Sequence, residues 1–196
     1  KKLLSACQTK VLRKPENRKE YLSRREGQER DLSIILVLLD TGIRVGELCR
    51  LKVEDVDLET GTIFIKPFGT GQKTKTRQVF ISKATIKHIW QYIKINHLEG
   101  SSLLFLSTEH KQLNRNSVYQ ILDRISKIAN VQNVHPHRFR HTFAIEFLRN
   151  GGDVFSLKQI LGHSTLTMVE HYLALSRADA AAAHLKASPV DKWGLK

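Results

Sequence analysis

The spacing of apolar residues changes period twice along the chain, and those changes predict its elements. Leu3, Leu4, Cys7 and Val11 recur at helical spacing, which predicts a helix over residues 1–12. Residues 13–30, "RKPENRKEYLSRREGQER", mix charges of both signs with few apolar positions and read as a loop or an exposed helix. "DLSIILVLLD" at 31–40 is a strongly apolar helix with Asp31 placed to cap it. Gly42 breaks that helix, and a new one starts near Val45 with Glu47, Leu48 and Leu51; "VEDVDLETG" then reads as a turn.

At residue 62 the period becomes two. "TIFIK" (62–66) and "RQVFI" (77–81) are strand-like, and "PFGTGQKTKT" between them is a Gly-rich basic turn, so the unit is a β-hairpin with lysines at its tip. Helical spacing returns over roughly 82–97, 114–129, 137–149, 154–161, 165–174 and 177–187, with a short apolar piece, "LLFL", at 103–106. Gly151-Gly152 and Gly162 end helices. No internal repeat or dividing linker is visible. The expected fold is mainly α with a small antiparallel β-sheet (α+β), as one domain over 1–187 with a non-helical tail, 188–196, that carries Pro189.

Composition narrows the class. With 41% apolar residues the chain has enough to build a core, and its longest apolar run, "IILVLL", is too short to cross a bilayer. No signal peptide is visible, and the lack of an initiating Met suggests a piece of something longer. Cys7 and Cys49 form no CxxC pair, which argues against a zinc or disulfide framework and for a reducing cytoplasm.

Charge points to a partner. The formal net charge is +13, which favours a polyanion, with nucleic acid first. From Thr60 to Leu98 there is no acidic residue, while Lys66, Lys73, Lys75, Arg77, Lys83, Lys87 and Lys94 supply cations. Solvated surfaces mix signs, so a one-sign stretch of this length reads as a contact face. A membrane surface fits less well, because no basic amphipathic helix with exposed aromatics accompanies it.

"HPHRFRHTFA" at 135–144 is the densest chemical signal. His137, Arg138, Arg140 and His141 occupy the first turns of a helix that begins at Pro136. His137 shares a face with Arg140 and with His141. A helix start attracts anions, and a guanidinium fork suits phosphate, so the physical suggestion is a phosphate pocket. A metal is disfavoured: HExxH is absent, and two arginines would repel a divalent cation. Taken alone, His141 is equally a core histidine, Arg44 a surface residue, His163 a cap after Gly162, and Tyr172 a core or interface residue.

The set reads differently. "TGIRVGEL", a lysine-tipped hairpin, "HPHRFRHTFA" and "LGHSTLTMVEHY", in this order and at these intervals, resemble the tyrosine recombinase (phage-integrase) family in its Xer-like branch. The likeness covers nearly the whole chain. It implies that Arg44 and Arg140 grip a scissile DNA phosphate, that His137 belongs to the HxxR motif, that His163 is the second histidine and that Tyr172 is the nucleophile. Glu47 matches an acidic position that orients the pocket, with His141 as further support and Lys66, Arg77 and Arg138 as DNA contacts. The lysine departs from the pattern: where the family has Gly-Lys-Gly, this chain has Gly69-Thr70-Gly71 in a hairpin about two residues longer. Lys73 is the first choice of general acid and Lys75 the second.

The resemblance further implies metal-independent, cofactor-free phosphoryl transfer on double-stranded DNA through a 3′-phosphotyrosyl link, with self-association as a tetramer through the tail, where Trp193 and Leu195 lie. It also implies a separate N-terminal DNA-binding domain, which nothing in this chain supplies. A type IB topoisomerase would use similar groups, a non-catalytic DNA-binding module would need only the basic stretch, and a small-RNA nuclease using the histidines is more distant.

Overall fold

The computed structural model describes residues 1–9, 11–13, 21–23, 27–68 and 76–163, and positions 165, 169, 172, 188, 190 and 193 singly. Two compact units divide it, Lys1–Phe143 and Ala144–Lys196, with the boundary inside one helix. Among the described residues no helix is long and apolar enough to cross a membrane.

The first unit is built around helix α2, Gln28–Thr41. Ile34, Ile35, Val37 and Leu38 are fully buried, because α1 (Lys2–Cys7) and α4 (Lys83–Asn96) both pack against this helix. Alpha-helix α1 also packs on α5 (Arg115–Ala129), whose apolar stripe of Val118, Ile121, Leu122 and Ile125 is buried at helical spacing. Asp40 fastens α4 to α2: its Oδ2 accepts from the Ser82 backbone N–H and from the Thr85 hydroxyl at the start of α4.

Three expectations need correction. The first helix stops at Cys7, and Val11–Arg13 is instead strand β1, paired antiparallel with β2 at Tyr21–Ser23. The 13–30 segment therefore holds half of a hairpin and the start of α2. Asp31 does not cap α2: Gly27 does, in the left-handed conformation. Asp31 lies one turn inside and is wholly buried, held by the Arg30 Nε and Nη2 groups at 3.0 and 2.8 Å and by Arg124 Nη2 at 2.7 Å. A carboxylate so deep needs two guanidiniums, and the capping pattern in the sequence could not reveal the distant one.

The remaining strands are β3 (Val56–Asp57), β4 (Thr62–Ile65) and β5 (Arg77–Phe80), in the antiparallel order β3-β4-β5. Ile63 pairs with Val79 and Ile65 with Arg77, and this parity turns Ile63, Ile65 and Val79 inward while Phe64 and Phe80 face out. Short helix α3 is Val45–Leu48. The helix α6, Pro136–Arg149, runs across the unit boundary. The second unit contains α7, Val154–Leu161, with Leu148, Leu157, Leu161 and Val169 buried. The helices expected at 165–174 and 177–187, and most of the tail, lie outside the described residues apart from single positions.

Candidate active site

Gly42 and Arg44 owe their positions to how α2 ends. Gly42 takes φ 59°, a left-handed conformation that only glycine adopts cheaply, and its N–H returns to the Leu38 carbonyl. The chain turns, Ile43 enters the core, and Arg44 becomes the residue that opens α3. Glu47 Oε2 accepts the Arg44 backbone N–H at 2.8 Å, half of a capping box.

Glu47 does more than cap. The Arg77 guanidinium donates to both of its carboxylate oxygens, Nη1 to Oε1 at 2.9 Å and Nη2 to Oε2 at 2.8 Å, and the Arg44 Nη1 lies 3.4 Å from Oε1. Glu47 and Arg77 side chains are only 9% and 10% exposed, against 40% for Arg44. Burial alone would raise the Glu47 pKa, but the hydrogen bonds and charge of Arg77, then those of Arg44, outweigh it and hold the carboxyl below its ordinary value. Arg77 was expected to contact DNA. Its inward side on β5, opposite Ile65, places it instead as the strut that fixes Glu47 beneath Arg44.

Helix α6 brings the next groups. Phe139, Arg140, Ala144 and Leu148 are buried at helical spacing. Arg140 Nη1 donates to the Gly42 carbonyl at 2.8 Å, so the turn that ends α2 also seats Arg140. His137 is exposed and reaches the same cleft. His141, one turn on, is exposed as well; it neither packs in the core nor lines that cleft. The Arg138 Nη1 group is turned onto the carbonyls of Gln132 and Asn133 in the preceding loop.

One cleft of the first unit is therefore lined by Arg44, Glu47, Lys66, His137 and Arg140, and also by Arg50 and Arg115. The last two were missed in sequence, where each is a lone arginine without a distinctive neighbour. Lys66 Nζ meets the Asp55 carboxylate at 2.5 Å, whose hydrogen bond and charge raise the lysine pKa. Lys73 and Lys75 lie outside the described residues.

In the second unit, α7 ends in a Schellman turn. Gly162 has φ 64°, its N–H bonds to the Gln159 carbonyl, and the His163 N–H bonds to the Lys158 carbonyl. That geometry is what "LGH" encodes, and it sends the His163 ring inward. The ring stacks with Tyr172 at 6.3 Å between centroids and 17° between planes, and each residue is 7% exposed.

Five cations facing one cleft whose only lining acid, Glu47, is already paired make a site for an anion that carries several charges. The fold and this cleft together define a mainly helical domain with a small antiparallel sheet and a cationic cleft. The chain belongs to the phage integrase family, whose profile matches residues 10–178. Tyrosine recombinase XerA of Thermococcus kodakarensis is 34% identical over 167 residues, covering 84% of this chain and 58% of the relative. A crystal structure of XerA recombinase superposes with a TM-score of 0.73 at 29% identity, covering 96% of this chain and 62% of that one. The Tn1549 transposon integrase, in complex with circular intermediate DNA, gives a TM-score of 0.68 at 25% identity, covering 83% of this chain and 61% of that one. The chain thus spans about half the length of the curated relatives it matches.

Proposed function

We propose that this chain carries the catalytic groups of a site-specific DNA recombinase that cuts and rejoins double-stranded DNA through a 3′-phosphotyrosyl intermediate. The observation that carries the reading is the shared cleft: Arg44 and, ninety-odd residues later, His137 and Arg140 line one cationic surface in a chain whose relatives are named tyrosine recombinases.

The Tyr172 hydroxyl attacks the phosphorus, the bond from phosphorus to the 5′-oxygen breaks, and a 5′-hydroxyl is released. A phenol is a weak acid, so its proton must leave as the oxygen attacks, and in this reading His137 accepts it. The leaving oxygen needs a proton, which Lys73, or failing that Lys75, supplies. Arg44 and Arg140 neutralise charge that builds on the non-bridging oxygens, and His163 donates a further hydrogen bond to the phosphate. The covalent link conserves the bond energy, so no nucleotide cofactor is needed. Tyr172 is buried and stacks on His163, the neighbour that this reading also assigns to the phosphate. Self-association through the 188–196 tail and action in a reducing cytoplasm complete the proposal.

The test separates catalysis from binding. Arg44→Ala and Arg140→Lys should each slow covalent capture of nicked duplexes by about 10²–10³-fold while DNA affinity falls far less, because their contacts strengthen in the transition state. Equal losses in both would make the two arginines mere binding residues.

A further inference from the structure

Arg50 and Arg115 lie in the cleft but have no part in the chemistry above. They converge on one point of α3. A Cβ added at Gly46 would lie 3.2 Å from Arg115 Nε and Nη2 and 3.3 Å from Arg50 Nη1. The two guanidiniums are thus no farther apart than about twice that distance, with only a buried glycine beneath them. Gly46 has no left-handed backbone to require glycine; what it provides is room for these two groups. Arg50 lies over the Phe68 ring, its Cζ 4.3 Å from the centroid, a cation–π contact that helps hold it at the cleft. Among the described residues, neither Arg50 nor Arg115 has a carboxylate partner, unlike Arg44 and Arg77, which share Glu47.

Like charges held this close repel, and among the described residues no carboxylate pairs with either of them. An external anion offsets that repulsion. Its chemistry follows from the fork: a guanidinium donates two parallel hydrogen bonds to a phosphate or carboxylate. In the mechanism proposed above, the forks of Arg44 and Arg140 take the two non-bridging oxygens of one phosphodiester, which leaves Arg50 and Arg115 for another. We propose that Arg50 and Arg115 form a second phosphate clamp, which holds a DNA phosphodiester beside the one that Arg44 and Arg140 grip. This rests on the reading of DNA as the substrate. The clamp sets the register of the strand in the cleft and reads no base, as phosphate contacts generally do.

The experiment is a salt titration of binding, by fluorescence anisotropy, to a short labelled duplex of mixed sequence. Arg50→Gln/Arg115→Gln should bind about tenfold more weakly at roughly 0.1 M salt, and its slope of log affinity against log salt should be shallower by about one, the value of one lost phosphate contact. Arg50→Lys/Arg115→Lys should recover the slope. Lys111→Gln/Lys127→Gln removes equal charge from exposed sites outside the cleft and should leave the slope in place. Arg115→Gln alone, at an exposed side chain, repeats the test should the double variant not fold. If the cleft variant changes the slope no more than Lys111→Gln/Lys127→Gln does, the clamp is overturned. Covalent capture by the unaltered chain keeps the two proposals apart. Capture with unchanged binding in the cleft variant removes the clamp alone; no capture with a shallower slope removes the recombinase reading and leaves a DNA-backbone clamp.

Discussion

Glu47→Gln should weaken the fold and the site together, and the size of the loss can be worked from the pair it breaks. Glu47 accepts two hydrogen bonds from Arg77 and one from the Arg44 backbone, all under 3 Å, and both charged side chains are about 10% exposed. The amide keeps the shape but has one acceptor oxygen and no charge, so the buried Arg77 guanidinium loses the carboxylate charge it faces. Breaking such a pair costs about 3–5 kcal/mol, and the hydrogen bond the amide retains returns about 1 kcal/mol. A net loss of about 2–4 kcal/mol corresponds to a fall in Tm of roughly 5–15 °C for a chain of this size. The assay is urea and thermal denaturation of both proteins across pH. Because the folded-state pKa of Glu47 lies below its ordinary value of 4.5, the folded chain binds fewer protons there than the unfolded one. The pair's contribution is complete above the ordinary pKa and is lost as pH falls through the lower, folded one. The gap between the two proteins should therefore hold at neutral pH and close in acid. A neutral-pH difference under about 1 kcal/mol, the range of exposed ion pairs, or a gap that does not narrow on acidification, would refute the reasoning.

Gly42→Ala should cost about 1–2 kcal/mol through its left-handed backbone, and covalent capture should drop further because the shifted carbonyl no longer seats Arg140; denaturation and capture rates measure the two effects. Lys73→Ala and Lys75→Ala should be compared on a substrate with a 5′-bridging phosphorothiolate, whose sulfur leaves without a proton. The lysine whose loss that substrate rescues is the general acid, and rescue of neither removes both.

How much of this was legible in sequence depended on the range of the interaction. Periods of 3.6 and 2 located α2, α4, α5, α6, α7 and the β4–β5 hairpin, because one-sided burial writes itself locally. Gly42 and Gly162 announced their turns, because positive φ admits few alternatives. The failures are at long range. Asp31 looked like a cap because its partner Arg124 is 93 residues away. Arg77 looked like a DNA contact because its charge is visible in sequence and Glu47, 30 residues earlier, is not visibly its partner. The alternation of "RQVFI" already carried the clue: Val79 faces inward, so Arg77, two residues before it, does too. The strands at 11–13 and 21–23 were missed because each is three residues long, below the length at which alternation can be read. Arg50 and Arg115 left no signal, since what singles them out is the empty space above Gly46.

The most direct test of the account is to trap the intermediate. The chain, incubated with a library of nicked duplexes and then denatured, should yield a protein–DNA adduct. Proteolysis and mass spectrometry should place the DNA on Tyr172 through a 3′-phosphate and leave a free 5′-hydroxyl, and Tyr172→Phe should give no adduct. A link to any other residue, attachment through a 5′-phosphate, or an adduct that survives Tyr172→Phe would contradict it.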